Sequence, residues 1–261
     1  MKWYISTWLV LAMLISAPVF AQNDDADSDV PKYVMFIEDH VPADKVKTYE
    51  SGISYFRNGA KSHNADMRWS CYQLSDGRFV YTVPMDSYAE LDEDPWADMV
   101  KKMDSMEVSK ARTQILGSLT NSSEYMVKPM AELSYRPAVK APQTRGTYVD
   151  VHYFFYTPEN GRTLKGLFGE MKELWEAKGI DQAYGVDKTD FGGDRPHWIV
   201  YSVYKDEAEF QRKSKEMEAQ MGDEFTQLHE KIASHCTEVV DVTAIYRPDL
   251  SYHGEEVTAD R

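Results

Sequence analysis

Tyr33-Val34-Met35-Phe36-Ile37 and Tyr148-Val149-Asp150-Val151-His152 open two stretches of this chain in the same manner. The stretches also close alike, on Lys128-Pro129 with Leu133-Ser134-Tyr135 and on Arg247-Pro248 with Leu250-Ser251-Tyr252. The spacing of about 115–120 residues is too long for a solenoid repeat and suits a small domain. One α+β unit is therefore expected twice in one chain.

The residues between these marks repeat the order βαββαβ. In the first stretch, residues 33–39 are rich in strand formers. Val46, Tyr49, Ile53 and Phe56 then follow a helical 3–4 spacing. Residues 67–74 and 78–85 predict a hairpin across Asp76-Gly77. A second helix starts near Asp94-Pro95-Trp96 and carries Met99, Met103, Met106, Ile115 and Leu119, with a break expected. Residues 125–128 predict the fourth strand. In the second stretch, residues 148–156 predict a strand, and Leu164, Leu167, Met171, Leu174 and Trp175 line a helix ending at Gly179. Residues 181–188 and 197–204 predict a hairpin looping through Phe191-Gly192-Gly193. Met217, Met221, Phe225, Leu228 and Ile232 form one helical stripe before a last strand over 239–246. The methionines at helical spacing read as packing surface rather than as metal ligands.

A βαββαβ unit carries its helices on one sheet face and needs cover on the other. Tyr148, His152, Phe154 and Tyr156 alternate with Val149, Val151 and Phe155, so both faces are large and apolar. A second copy is the natural cover. The expected fold is α+β: two tandem ferredoxin-like halves forming an intramolecular pseudo-dimeric α/β barrel, whose interior fills with side chains or holds one small ligand. The paired units with their matched openings resemble the dimeric α/β-barrel superfamily over about residues 31–252. That superfamily includes antibiotic-biosynthesis-type monooxygenases, NIPSNAP-like proteins, muconolactone isomerases and chlorite dismutases. Exported tandem-domain members of unassigned activity are similar in kind.

Residues 1–21 read as a signal peptide: Met1-Lys2, an apolar run over 9–15, and Val19-Phe20-Ala21 before the expected cleavage after Ala21. This predicts a periplasmic or secreted protein with no membrane insertion once the signal is removed. Residues 22–30, with Asp24, Asp25, Asp27 and Asp29, predict a disordered acidic tether. The expected plan is then 31–137 for the first half, 138–147 for a linker with Pro142 and Gly146, 148–252 for the second half and 253–261 for a tail. A net charge of −14 excludes the basic footprint of nucleic-acid binding. Cys71 and Cys236 fall one per half in unlike contexts, and unpaired thiols are the expectation. Sequence leaves association into a homodimer open.

If the barrel holds a ligand, the working groups point inward from strands. His152 is the leading candidate base, with Asp150 two residues away on the same face to orient it. A structural histidine is the plainer alternative. Glu38 and His40 form a similar pair in the first half and are expected at the other end of the barrel. Arg68, Trp69, Tyr81, Tyr184 and Tyr201 are candidate ligand-binding residues, since aromatic walls suit a planar organic molecule. A strand arginine inside a barrel needs an anion beside it. Seven histidines are scattered with no paired spacing, and no C-x-x-C is present, so no metal site and no cofactor are expected. The chlorite dismutase-like relatives bind haem through a histidine, and no residue here matches that ligand.

Three readings stay open: a protein that binds a small planar organic ligand between its sheets; a cofactor-independent monooxygenase or isomerase with His152 as base; and a structural or interaction protein with a filled barrel. The space between the sheets, and the direction of His152, separate them.

Overall fold

The computed structural model describes residues 30–137 and 146–254. The expected signal peptide, residues 22–29 of the tether, most of the linker and the end of the tail lie outside the described residues.

The described residues form eight strands and five α-helices in the order β1 Tyr33–His40, α1 Val46–Ser62, β2 Ser70–Leu74, β3 Arg78–Met85, α2 Ala97–Val100, α3 Ser105–Leu116, β4 Asn121–Pro129, β5 Tyr148–Phe155, α4 Gly161–Lys178, β6 Gly185–Gly192, β7 His197–Tyr204, α5 Glu207–Ser234 and β8 Glu238–Tyr246. Gly77 takes φ 92° in the tight turn between β2 and β3, a conformation open to glycine at little cost. The expected break in the second helix falls between α2 and α3, where the Asp104 side chain caps α3 by accepting from Met106 N and Glu107 N. α4 ends at Gly179 in the left-handed conformation.

Three expectations need correction. Met106 is 80% exposed and takes no part in a core stripe. The second hairpin is shifted: β6 starts at Gly185 and runs through Phe191 to Gly192, because Tyr125 and Met126 of β4 continue to pair with it. α5 kinks at Gly222, where φ is 61° and ψ −156°, so its stripe is split.

The strands close into one antiparallel barrel in the order β1-β3-β2-β8-β5-β7-β6-β4. Strands β4-β1-β3-β2 form one side, and β8-β5-β7-β6 repeat that order on the other. The seams are β2 with β8 and β4 with β6. Burial alternates identically along β1 and β5, as the period of two requires. Val34, Phe36, Val149, Val151 and Tyr153 face inward and join Tyr72, Val80, Tyr125 and Ile199 in the barrel core. Two outer cores lie under the helices. Tyr49, Phe79, Tyr81 and Met99 form one, and Phe154, Leu164, Phe168, Trp198 and Ile232 form the other. No helix among the described residues is long and apolar enough to cross a membrane.

The barrel core draws on both sets of four strands. Residues 31–137 expressed alone would expose that inner face and leave β2 and β4 as open edges. We expect this fragment to self-associate in size-exclusion chromatography with light scattering. A folded monomer would contradict the shared core.

Candidate functional site

One end of the barrel interior is polar. It is the end where β1 and β5 finish and β3 and β7 begin. Glu38, on the inward face of β1, is 6% exposed. Arg78, at the start of β3, donates from Nη1 to Glu38 Oε2 at 2.7 Å and from Nε to Asp76 Oδ2 at 2.8 Å. Tyr125 of β4 donates its hydroxyl to Glu38 Oε1, and Tyr153 of β5 approaches the same oxygen at 3.3 Å. The Arg78 guanidinium also lies 5.0 Å from the centre of the Tyr153 ring. Burial, then the Glu38 charge, pushes both tyrosines well above their ordinary range. For Arg78, burial works against the charge but Tyr153, Glu38 and Asp76 outweigh it, so the guanidinium stays protonated.

His197, the first residue of β7, completes this end. Its ring lies 4.9 Å from Tyr125, 5.7 Å from Tyr153 and 5.0 Å from Phe155, centre to centre. Nδ1 is 3.0 Å from the Arg195 carbonyl oxygen. A carbonyl only accepts, so the proton sits on Nδ1 and Nε2 carries the free lone pair. Among the described residues no group pairs with Nε2. Burial holds the imidazole below its ordinary pKa, so it stays neutral. At the rim, Arg195 stacks 4.1 Å over Phe155 and pairs with Glu238 at 2.7 Å.

Further along the interior is Asp187 on β6. It pairs across the sheet with Ile199 of the barrel core, while its neighbour Val186 belongs to the outer core. Alternation thus turns Asp187 inward. It is 1% exposed, and neither carboxylate oxygen has a hydrogen-bond partner among the described residues. Burial alone pushes its pKa up to about 7. The Tyr201 ring lies against the backbone of Gly185 beside it, where a Cβ would stand 2.3 Å from Tyr201 Cζ. Between these polar groups the barrel is almost filled. A void of about 10 Å³ in the interior is bounded by Phe36, Tyr72, Val151, Tyr153 and Ile199, close to the space of a single water. It does not fit a tetrapyrrole. No group of three or more His, Cys, Asp or Glu side chains among the described residues is placed to hold a metal ion.

Of the candidates read from sequence, Glu38 and Tyr201 line the interior. His152 and Asp150 do not: alternation along β5 puts Val151 and Tyr153 inside and turns both residues to the outer face. There His152 Nδ1 meets Asp241 at 2.7 Å and Nε2 meets Asp150 at 3.1 Å. The pairs Glu38–His40 and Asp150–His152 thus do not line opposite ends of one cavity. His40 is half-buried at the end of β1 and pairs with Arg78 and Asn121 in the sheet. Arg68 precedes β2 and is not a barrel arginine; Arg78 is. Trp69 packs in an outer core and donates Nε1 to the Leu250 carbonyl at 2.7 Å. Tyr81 lies under α1, its hydroxyl 2.9 Å from that of Tyr49, whose proton goes to Asp39. Tyr184 packs outside against Trp175. Cys71 and Cys236 are free. His229 packs against Phe154 and Phe225. Sequence reasoning misses Arg78, Tyr125, Tyr153 and Asp187. The signal for Tyr153 is present in the sequence, since Val149 and Val151 share its face.

Burial alone would lower the His152 pKa, but the hydrogen bonds to Asp150 and Asp241 raise it to about 9 from an ordinary 6.5. The folded protein therefore holds this proton more tightly than the unfolded chain. The stabilisation is complete below pH 6.5 and is lost as pH rises through about 9. We expect the Tm of the wild type to fall across that window, and Asp241→Asn to flatten the fall. Equal slopes in both proteins would contradict the paired proton.

No protein-family model matches the chain, and no curated protein matches its sequence. Solved structures do match. An anthrone oxidase-like protein is 13% identical, covers 88% of this chain and 97% of its own, and superposes with a TM-score of 0.59. A chlorite dismutase variant from Candidatus Nitrospira defluvii, solved with cyanide, is 9% identical over 84% of this chain and 92% of its own, with a TM-score of 0.50. The likeness is one of fold: an α+β protein of ferredoxin-like architecture built around a closed eight-stranded antiparallel barrel.

Proposed function

We propose that the chain is a small-molecule-binding α/β barrel, with its ligand held between the two sheets near Glu38, Arg78, Tyr125, Tyr153 and His197. In this reading residues 31–137 and 148–252 are the two halves of an intramolecular pseudo-dimer. Glu38 and Tyr153 hold the sixth place in β1 and β5, and Arg78 and His197 the first in β3 and β7. Equivalent positions thus meet about the barrel axis. The protein is exported, and N-terminal sequencing of the mature chain should begin at Gln22.

The observation that carries the reading is His197 Nε2. Its tautomer is fixed, it lies in an aromatic box, and it has no partner among the described residues. A side chain present only to fill space would be better apolar, because an unpaired buried polar group costs about 1–3 kcal/mol. A planar organic ligand bearing a hydrogen-bond donor would satisfy it. If the protein is an enzyme, of the cofactor-independent monooxygenase or isomerase kind, His197 rather than His152 has the geometry of the base. The void of about 10 Å³ favours a filled structural barrel instead, so a ligand must displace interior side chains.

A thermal-shift screen of residues 22–261 against planar organic molecules tests this. A rise in Tm that disappears in His197→Leu supports the site. No rise with any compound supports the filled barrel.

A further inference from the structure

We infer that the interior ligand is a small organic ammonium ion, held by Asp187 against the aromatic wall of the barrel. This rests on the small-molecule reading above and narrows the ligand class. The charges of the interior do not balance by themselves. Glu38 is answered by Arg78 at 2.7 Å. Among the described residues no lysine, arginine or histidine forms an ion pair with Asp187, and neither of its oxygens accepts a hydrogen bond.

The neighbours of Asp187 supply no donor cation. On β4 it faces Pro129, which has no ionisable group. On β7 it faces Ile199, with His197 and Tyr201 two residues to either side. Tyr201 feels the charges of Asp187, Tyr72 and the exposed Arg136. On the face of this hairpin that turns into the barrel, the side-chain groups without a partner among the described residues are acceptors: two carboxylate oxygens and His197 Nε2, whereas Trp198 Nε1 lies in the outer core. A carboxylic acid or a quinone would bring only more acceptors at neutral pH. An alcohol would bring one donor and no charge. An ammonium group brings three donors and the missing positive charge. Phe36, Tyr72 and Tyr153 line the interior void together with Ile199, the cross-strand neighbour of Asp187, and aromatic faces attract cations. The burial that opposes a lone carboxylate also strengthens its attraction for a cation. On binding, the Asp187 carboxyl loses its proton to solvent and the ion pair takes its place.

Isothermal titration of the mature chain with three shape-matched probes tests this: benzylammonium, benzyl alcohol and benzoate, each at pH 6, 7 and 8. Benzylammonium should bind best. Its affinity should rise about tenfold from pH 6 to 8, about fivefold of that between pH 6 and 7, because one proton must leave the carboxyl first. About one proton per bound ligand should be released at pH 6, as read from buffers of different ionisation enthalpy. Asp187→Asn, which keeps the shape, should abolish both the preference and the proton release, and Tyr72→Leu should weaken binding without removing the pH dependence. Equal binding of benzyl alcohol, or benzylammonium binding untouched by Asp187→Asn, would overturn the inference and leave the small-molecule reading standing. Failure of all three probes to bind, in a screen where other planar compounds do, overturns it as well. Failure of every compound removes both.

Discussion

Asp187→Leu should stabilise the protein at pH 8 and have little effect at pH 4. The reason is the direction in which burial moves the carboxyl. Burial raises the folded pKa to about 7, against an ordinary 3.8. The folded state thus binds this proton more tightly than the unfolded chain. Wild-type stability from this group is complete below pH 3.8 and is lost as pH rises through about 7. Each tenfold change in proton affinity corresponds to about 1.4 kcal/mol, so the loss is at most on the order of 4 kcal/mol. Leucine has the same branched outline, with bulkier methyl groups in place of the two oxygens, and no charge to desolvate, so its stability should not follow this curve. Urea unfolding of wild type, Asp187→Leu and Asp187→Asn at pH 4, 6 and 8 measures the difference directly. A gap between wild type and Asp187→Leu that stays constant over the series would mean that the carboxyl has a partner in the fold. The ammonium site would then lose its basis.

Glu38→Ala should be the most damaging single change in the barrel. Glu38 and Arg78 side chains are 8% and 12% exposed. Removing the carboxylate leaves a nearly buried guanidinium with Asp76 as its remaining anion. It also leaves the hydroxyls of Tyr125 and Tyr153 without their acceptor. Breaking one side of a buried pair costs about 3–5 kcal/mol, whereas replacing both partners by apolar groups can be close to neutral. We therefore expect Glu38→Leu combined with Arg78→Met to recover most of the stability lost in Glu38→Ala. Urea midpoints followed by tryptophan fluorescence provide the readout. Additive losses in the double variant would show that the pair is not the unit that matters. The expected rescue would also separate folding from function, because the apolar barrel would keep its shape without the polar end.

Strand alternation is legible in the sequence, but its phase is not. Val149, Val151 and Tyr153 share one face of β5, and Asp150 and His152 share the other. Nothing local marks which face the helices cover, since both carry large apolar side chains. The sequence therefore points to His152 as an inward base, although it lies outside between Asp150 and Asp241. The arginine argument has the right chemistry and the wrong residue. A barrel arginine needs an anion, and Arg78 has one in Glu38, forty residues earlier in the chain. Arg68 lies just before β2, where register no longer dictates direction. Asp187 lies within the expected strand over 181–188, but its inward direction follows only from its pairing with Ile199 across the sheet.

By itself, the sequence determined the α+β class, the repeated βαββαβ order, and the turns at Asp76-Gly77 and Gly179. These follow from short-range physics: side-chain period, backbone freedom and helix capping. Tertiary structure decided the rest. Closure through the β2–β8 and β4–β6 seams chose the inner face, and that choice gathered Glu38, Arg78, Tyr125, Tyr153 and His197 from five strands. It also enclosed Asp187 with no cation beside it among the described residues. Burial and partnership depend on residues far apart in the chain, and these set the charges and the chemistry of the barrel.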